Sequence, residues 1–440
     1  MGTNEIISRF FKKNYNININ NSNKFKIKTS SKEIQQGDVF IAIRTGNNYI
    51  EEAFLKGASL VVYDGKNIAI EKTLKNKTLY VNDSIQFLQK IAKYYRENLN
   101  TKIIGITGSN GKTTTKDILY YILKTKYKVK KTIGNLNNHI GVPITILDLE
   151  TDDEVLVLEM GMSGYGEISL LSEIANIDYG IITNIGDSHI LYLKNRENVF
   201  KAKSEILPYI KENLVINGDD PFLKQLNGKK IGIYNKENIY AENIKMDNNT
   251  MNFDLYIENI KYSATTNLIG EHNLYNIMVA IAMALEFEID IYSILEAIKN
   301  LEISNMRYEK IQKENILYIN DAYNASPISM KYAINTFSNI YNDKYKIMIL
   351  GDMLELGEDS KKMHESVLDN INDINCNEVY LFGEEMKYLY NKHKLNKKIY
   401  FFSKKEEISD KLNNINKEVV VLLKGSRGMK LEEIIELGGK

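Results

Sequence analysis

The hydrophobic pattern at the start of the 440-residue chain mixes short β-rich runs with helical ones. Apolar runs at 24–28, 38–44 and 59–63 are bounded by polar residues or glycine and predict strands. The run at 50–56 predicts a helix that ends at Gly57. Between 82 and 100 the apolar residues recur on one helical face and predict a second helix. This part of the chain therefore reads as a small mixed α/β domain.

The middle of the chain alternates strand and helix patterns. Apolar runs at 102–107, 154–160 and 179–184 predict strands, while 112–124, 196–207 and 271–287 have helical periodicity. The stretch 231–269 alternates polar and apolar residues, as in a small meander. Strand–helix alternation predicts a mostly parallel sheet covered on both faces.

The alternation restarts at about Tyr308, with strands predicted at 316–320, 346–350, 378–382 and 419–423. This pattern predicts a Rossmann-like domain. The predicted fold class is α/β, with three domains at 1–82, 83–307 and 308–440, a number that the length also favours.

Composition narrows the class of protein. The apolar fraction of 43% and charged fraction of 26% exclude a disordered or collagen-like chain. The 57 basic and 57 acidic residues cancel, so we expect no general nucleic-acid binding. Cys376 alone forms no internal disulfide. No apolar run is long enough to span a membrane and residues 1–13 lack a signal-peptide core, so we expect a cytoplasmic protein.

The sharpest chemical signal follows the predicted strand 102–107. It reads Thr107-Gly108-Ser109-Asn110-Gly111-Lys112-Thr113-Thr114 and opens a helix, the context of a phosphate-binding loop. Lys112 would neutralise β- and γ-phosphates, and the Thr113 hydroxyl would ligate Mg²⁺. Ile106 stands where the usual G-x-x-x-x-G-K-[ST] pattern has its first glycine. The alternative is a plain glycine-rich turn.

Other polar residues follow predicted strands, where ligands bind to α/β sheets. Glu159 is a candidate Mg²⁺ ligand or an idle acid, and His189 is a candidate ligand or a structural histidine. Lys203 taken alone reads as a lysine on the solvated face of a helix. Further candidates have helix capping or turns as their alternatives, and they are Asn273, Asn276, Arg307, Asp321, Asn324 and the 424–428 segment.

In this order, these segments resemble the Mur ligases of bacterial cell-wall synthesis over nearly the whole chain. The loop 107–114 is similar to the family's T-G-x-N-G-K-T-[ST]. Two segments resemble the member that joins D-Ala-D-Ala to a UDP-N-acetylmuramoyl tripeptide. They are Asn137-Asn138-His139-Ile140-Gly141-Val142-Pro143 and Asp321-x-Tyr323-Asn324-Ala325-x-Pro327-x-Ser329-Met330.

The resemblance implies a UDP-sugar-binding N-terminal domain, a central ATPase domain with a phosphate-binding loop and a C-terminal domain that brings the amine. It implies that ATP phosphorylates the tripeptide carboxylate, that the amine of D-Ala-D-Ala attacks the acyl phosphate, and that ADP and phosphate leave. We expect Lys112, His189 and Lys203 to be catalytic, with ATP bound by residues 107–114, Asn276, Arg307 and Asp321. We further expect a monomer without membrane insertion.

The resemblance also implies two Mg²⁺ ions, a CO₂-derived carbamate on Lys203 and a set of substrate residues. The metal ligands would be Thr113, Glu159, His189 and the Lys203 carbamate, which converts a cation into an oxygen ligand suited to Mg²⁺. The substrate residues would be Ser31, Asn137, Asn138, Asn324, Asp352, Lys424, Ser426 and Arg427.

The chain departs from the family pattern in several places. After His189 the family reads H-L-E-x-x-G-S, whereas this chain has Ile190, Leu191 and, at the glycine position, Lys194. The family's D-S-R is Ser30-Ser31-Lys32, and Ser326 replaces an asparagine. Three alternatives stay open: a sibling ligase that adds diaminopimelate or lysine, a folylpolyglutamate synthase, and a P-loop NTPase switch.

Overall fold

The structure is a computed structural model that describes residues 2–19, 24–66, 68, 70–302, 306–368, 371, 374–392 and 398–438. Its internal contacts divide the chain into two compact units. The first unit comprises Met1–Thr107, Lys126–Ile181 and Ser204–Asn213. The second unit comprises Gly108–Thr125, Ile182–Lys203 and Leu214–Lys440.

The strands and α-helices alternate along most of the chain, as the sequence predicts. The strands are β1 (Ile27–Lys28), β2 (Val39–Ala42), β3 (Leu60–Tyr63), β4 (Thr78–Tyr80), β5 (Lys102–Thr107), β6 (Val129–Lys131), β7 (Val155–Glu159), β8 (Tyr179–Ile182), β9 (Leu214–Asn217), β10 (Lys229–Gly232), β11 (Ile239–Met246), β12 (Met251–Ile257), β13 (Ile260–Thr266), β14 (Glu309–Lys313), β15 (Ile316–Asn320), β16 (Tyr345–Gly351), β17 (Glu378–Phe382), β18 (Lys398–Phe402) and β19 (Val419–Lys424). The helices are α1 (Thr3–Tyr15), α2 (Ile50–Leu55), α3 (Ser84–Glu97), α4 (Lys112–Leu123), α5 (Gly141–Leu147), α6 (Glu167–Ala175), α7 (Ile190–Leu193), α8 (Arg196–Ser204), α9 (Glu271–Glu286), α10 (Ile291–Ala297), α11 (Pro327–Asn339), α12 (Ser360–Leu368), α13 (Glu384–Lys392), α14 (Lys405–Asn413) and α15 (Glu433–Leu437).

The first unit contains two sets of parallel strands. One is a four-stranded sheet in the order β1-β2-β3-β4. The other runs β8-β5-β7-β6, and its register sets Ile106 of β5 opposite Glu159 of β7. Helix α3 begins where the Asp83 carboxylate accepts hydrogen bonds from the N–H groups of Ile85 and Gln86. Parallel pairing therefore brings the ends of β5 and β7 to one edge.

The second unit combines a meander with a Rossmann-like sheet. Strands β9, β10 and β11 are parallel neighbours, and β11, β12 and β13 pair antiparallel, so the predicted meander is confirmed. The other sheet has the order β14-β15-β19-β16-β17-β18, parallel except for the edge strand β14. Buried apolar residues cover both faces, with Phe337 of α11 on one and Leu412 of α14 on the other.

The α/β fold class is confirmed, and several predicted bounds are corrected. The strands 102–107, 316–320 and 378–382 are found with the predicted bounds. The predicted strand 24–28 shortens to Ile27–Lys28, and the predicted helix 196–207 ends at Ser204 before a 3-10 turn that contains Pro208. Helices α1, α5, α6, α7, α10 and α15 and strands β4, β6, β9, β14 and β18 were not predicted from the sequence. Among the described residues, no helix is long and apolar enough to cross a membrane.

Candidate active site

The loop between β5 and α4 has the backbone that a phosphate site requires. Gly108 and Gly111 both have positive φ, at 147° and 82°. A Cβ at Gly108 would lie 1.8 Å from Thr183 Oγ1, and one at Gly111 would lie 2.2 Å from Asn276 Oδ1. Both positions therefore favour glycine, and this backbone is compatible with the predicted phosphate-binding loop as well as with the alternative of a plain glycine-rich turn. Lys112 begins α4, so the helix N-terminus faces the loop.

The residues after β8 support this loop. Gly186 N–H donates to Ser109 Oγ at 2.8 Å, and Asn110 N–H donates to Asn184 Oδ1 at 3.0 Å. Thr183 Oγ1 donates to the Asn110 carbonyl at 2.6 Å. Thr183 and Asn184 were not assigned a role from the sequence, although polar residues directly after an apolar strand were a usable signal.

Lys112 and Asn276 also contact the loop region. The Lys112 ammonium donates to the Gly108 carbonyl at 2.7 Å, so it lies directly over the loop. Asn276, on α9, accepts from Thr115 Oγ1 at 3.3 Å. Both predicted nucleotide-binding residues are thus brought to the loop.

Two residues from the C-terminal part of the chain reach the same loop. Arg307 Nη2 donates to Thr113 Oγ1 at 2.9 Å, and its guanidinium lies over the Tyr323 ring at 4.2 Å. Ser326 Oγ donates to Asn110 Oδ1 at 3.1 Å while it also caps α11. Ser326, noted only as a departure from the family pattern, is therefore a loop contact.

Lys203 is buried rather than solvated, and its side chain is among the fully buried ones. Burial, and then the charge of Lys112, hold the pKa of Lys203 well below its usual value. Among the described residues no carboxylate forms an ion pair with it. The alternative reading of Lys203 as a solvated lysine is wrong.

His189 faces the same charges. Burial, followed by the charges of Lys203 and Lys112, lowers the pKa of His189 to about 4. Its imidazole is therefore neutral near pH 7, the form that binds metals. Its Nδ1 lies 3.7 Å from a carboxylate oxygen of Glu355, a residue that the sequence analysis did not single out.

Glu159, Asn137, Asn138 and Ser31 belong to the first unit. Glu159 is buried and accepts from Asn137 Nδ2 at 2.9 Å. Asn138 Oδ1 accepts from the N–H groups of Ile140 and Gly141, so it shapes the start of α5. Ser31 is buried and donates to Glu52 at 3.2 Å.

The predicted metal ligands are divided between the units, with Thr113, His189 and Lys203 in the second. Among the described residues, no group of three or more His, Cys, Asp or Glu side chains has the arrangement of a metal site.

A cavity of about 250 Å³ opens in the first unit. Four lysines and two carboxylates line it, which leaves a net positive charge of two. Lys26 pairs with Asp148 at 2.7 Å and Lys28 with Glu33 at 3.4 Å. The remaining lysines and the apolar wall are Lys130, Lys131, Ile133, Leu136, Ile144 and Leu147. This mixture suits an anionic ligand that also has apolar surface.

Most of the predicted acceptor-binding residues already have hydrogen-bond or ion-pair partners in or next to the sheet β14-β15-β19-β16-β17-β18. Lys424 pairs with Asp321 at 2.9 Å and donates to the Asn324 carbonyl at 2.8 Å. Asp352 accepts from the N–H groups of Glu385 and Met386 at the start of α13.

Burial raises the pKa of Asp352, although those N–H groups oppose the shift. Ser426 Oγ accepts from Leu354 N–H at 2.8 Å. Arg427 is more exposed and contacts Glu432 and Met306 Sδ. Arg427 and Asn324 are therefore the exposed members of this set, and Arg427 is the cationic one.

Two family models of Mur ligase domains match the chain. The Mur ligase middle domain matches residues 106–284, and the Mur ligase glutamate ligase domain matches residues 306–427. Together with the full-length relatives below, these matches show that the chain belongs to the Mur ligase family.

Within the family, the chain is similar to one kind of member. It is 36% identical over 425 residues to the UDP-N-acetylmuramoyl-tripeptide–D-alanyl-D-alanine ligase of Bacillus subtilis, covering 93% of this chain and 92% of the relative. A MurF structure from Acinetobacter baumannii has a TM-score of 0.86 at 27% identity, covering 94% of this chain and 93% of that one. MurF from Thermotoga maritima in complex with ADP has a TM-score of 0.84 at 29% identity, covering 94% and 96%.

Proposed function

We propose that the chain is an ATP-dependent ligase that joins D-Ala-D-Ala to UDP-N-acetylmuramoyl-tripeptide, with ADP and phosphate as the other products. The observation that carries the proposal is the contact of Arg307 with Thr113 in the phosphate-binding loop, in a chain similar along most of its length to such a ligase. The proposal includes a monomeric, cytoplasmic enzyme and domain boundaries at 82/83 and 307/308.

ATP would be held by residues 107–114 together with Asn276 and Arg307. The backbone N–H groups at the start of α4 would face the phosphates, and Lys112 would exchange the Gly108 carbonyl for a phosphate oxygen. Arg307, held flat by Tyr323, would add a second cation at the loop. Asp321 is a further proposed ATP-binding residue, and it would act through its ion pair with Lys424.

Mg²⁺ would be held by Thr113, Glu159, His189 and a carbamate on Lys203. Bound Mg²⁺ would supply charge stabilisation for the transferring phosphoryl group. Two features support the carbamate: Lys203 is buried, and its depressed pKa leaves more of the neutral amine that reacts with CO₂. The neutral imidazole of His189 fits a nitrogen ligand.

The UDP-muramoyl tripeptide would lie in the first unit's cavity. The net positive charge of its lysines suits a diphosphate, and Ile133, Leu136 and Ile144 offer apolar surface. Ser31, Asn137 and Asn138 are proposed as further substrate residues, and they are not among the residues that line this cavity. Asn138 would act through the backbone that it shapes, because its side-chain oxygen is already engaged.

D-Ala-D-Ala carries an amine and a carboxylate. An acidic side chain would bind the amine, and a basic side chain would bind the carboxylate. Arg427 is the candidate for the carboxylate because it is exposed and cationic. Asn324, Asp352, Lys424 and Ser426 would shape the same acceptor site.

The test is one incubation with UDP-muramoyl tripeptide, ATP and D-Ala-D-Ala, followed by mass spectrometry and an ADP assay. We expect the pentapeptide product and ADP in equal amounts, with little ADP when D-Ala-D-Ala is left out. Parallel incubations replace these substrates with those of the alternatives. Product only with diaminopimelate or lysine as the added amine would indicate a sibling ligase, product only with a folate and glutamate would indicate a folylpolyglutamate synthase, and ADP without any ligation would indicate an NTPase switch.

Two pairs of variants sharpen the assignment. Lys112→Ala should lose nearly all ligation, whereas Lys124→Ala, at the exposed other end of α4, should retain it. Lys203→Ala should lose activity and recover part of it with acetate, while Lys201→Ala on the same helix should need no acetate. An active Lys203→Ala protein would contradict the carbamate.

A further inference from the structure

The hairpin between β11 and β12 ends in a preorganised turn at residues 247–250, here called the hairpin tip. The Asp247 carboxylate accepts from the N–H groups of Asn249 and Thr250, both at 2.7 Å, and from Thr250 Oγ1 at 2.8 Å. Asp247 N–H also donates to the Thr250 carbonyl at 3.0 Å. Such local bonds fix the backbone of a turn. The tip therefore presents its outward groups in one arrangement.

The groups that the tip presents are bound by residues from the C-terminal part of the chain. Asn248 Oδ1 accepts from the Tyr341 N–H at 2.6 Å. The Asn248 carbonyl accepts from Lys310 Nζ at 2.6 Å and from the Tyr341 hydroxyl at 3.3 Å. Lys310 Nζ also donates to Asn249 Oδ1 at 3.1 Å. Two C-terminal residues thus converge on one asparagine.

Both of these residues lie close in the chain to segments that contact the phosphate-binding loop elsewhere. Lys310 lies on β14, three residues after Arg307, and Arg307 donates to Thr113. Tyr341 follows the C-terminal end of α11, and Ser326 at the opposite end of α11 donates to the loop residue Asn110. Helix α11 is therefore held at one end by the hairpin tip and at the other by the loop.

Tyr341 contributes a backbone N–H to this contact that depends on Asn248. Tyr341 is 3% exposed and follows Ile340, whose backbone is extended, so its N–H lies beyond the hydrogen-bonded part of α11. A buried N–H needs an acceptor, and Asn248 Oδ1 supplies it. Without that oxygen, the backbone after α11 loses the partner that fixes it.

We propose that the hairpin tip positions Arg307 and Ser326 on the phosphate-binding loop, with Asn248 as the positioning residue. Among the described residues, the hydrogen bonds of Asn248 join it to Lys310 and Tyr341 and not to the loop. It acts through Lys310 on the segment that carries Arg307, and through Tyr341 on α11. The inference rests on the proposed function, because it assigns the positioning to nucleotide binding.

The experiment measures the dissociation constant of a fluorescent ADP analogue, and KM for ATP separately from kcat. Asn248→Ala should weaken ADP binding about tenfold, since it leaves a buried N–H without its acceptor. Asn248→Asp keeps an acceptor oxygen at the same place and should bind within about twofold of the wild type. Lys310→Met should weaken ADP binding in the same direction as Asn248→Ala, by removing the other contact.

The matched control is Thr265→Val, which removes a 2.8 Å hydrogen bond to Asn252 in the same meander without touching residues 306–341. The control should leave ADP binding unchanged. ADP binding by Asn248→Ala and Lys310→Met at the wild-type level would overturn the inference and leave the tip a structural contact. A wild-type protein that binds no ADP would overturn the proposed function, and the inference with it.

Discussion

Replacing Lys194 with glycine should stabilise the protein, because Lys194 occupies a strained backbone position beside His189. Its φ is 72° and its ψ is −36°, and Asn195 N–H donates to the Leu193 carbonyl across it at 2.9 Å. This is a γ-turn with positive φ, a conformation that is rare and strained for residues with a side chain. The family pattern has glycine at this position. The chain has lysine there instead, although its backbone keeps a conformation that glycine adopts more easily.

The magnitude follows from two opposing terms. A residue with a side chain in a sparsely populated backbone region costs about 1–3 kcal/mol. Glycine removes most of that strain but gives the unfolded chain more freedom, which costs about 0.4–1 kcal/mol. The exposed Lys194 side chain adds no further loss. Lys194→Gly should therefore raise the free energy of unfolding by about 1 kcal/mol and the melting temperature by about 1–2 °C.

The assay is urea denaturation followed by circular dichroism, with calorimetry for the melting temperature. Lys201→Gly is the control, because Lys201 lies within α8, where glycine should destabilise by about 1 kcal/mol. The same chemical change should thus have opposite signs at the two positions. A destabilising Lys194→Gly would show that the Lys194 side chain, rather than backbone strain, determines the stability of this turn.

Three further predictions concern single residues. Arg307→Ala should weaken binding of an ADP analogue by about 10–100-fold, because the charged hydrogen bond to Thr113 is lost. Tyr323→Leu keeps that bond and removes only the ring under the guanidinium, so it should weaken binding by at most about fivefold. Equal effects of the two variants would contradict the greater importance of the hydrogen bond. His272 lies in the first turn of α9, where burial and then the charge of Lys424 lower its pKa to about 4 against the opposing charge of Asp321. This pKa is below the unfolded value of 6.5, so the contribution of His272 to stability is complete above pH 6.5 and lost as the pH falls toward 4. Urea titrations near pH 5 and pH 7.5 should therefore show His272→Gln losing less stability on acidification than the wild type, by at most about 2 kcal/mol, and parallel losses would refute the shift. Arg427→Ala should raise KM for D-Ala-D-Ala with little change in kcat, and an unchanged KM would remove Arg427 from the acceptor site.

The backbone of the loop at 107–114 was predictable because its determinants are local. An apolar strand, two glycines, a Lys-Thr pair and a helix follow one another within residues 102–123, so their order alone indicated the geometry that the structure has. The strands 316–320 and 378–382 were predictable for the same reason, since buried parallel strands are continuous apolar runs.

The state of Lys203 was not predictable from its own helix. The pattern of α8 is that of an amphipathic helix, and the sequence does not specify which residues of other elements cover Lys203. Its burial and the nearby charge of Lys112 arise from tertiary packing. The edge strands β14 and β18 were missed because edge strands mix polar and charged residues with apolar ones, as Glu309 and Lys398 do here.

The roles of Asp352, Ser426 and Asn138 show a different limit. Motif resemblance indicated these residues but not whether their side chains face a ligand or hold the backbone. In the structure Asp352 caps α13 and Asn138 caps α5, so their polar groups organise loops. The predicted domain boundaries and the metal-ligand set remain predictions.

The contact between Arg307 and Thr113 joins residues 194 positions apart in the chain. A ribosome adding about 5–20 residues per second needs roughly 10–40 s to cover that distance. The nascent chain therefore exposes its phosphate-binding loop well before the arginine that contacts it exists. During that interval the loop has no Arg307 and the nucleotide site is incomplete, so premature termination before residue 307 would leave a fragment that has the loop but cannot complete its site.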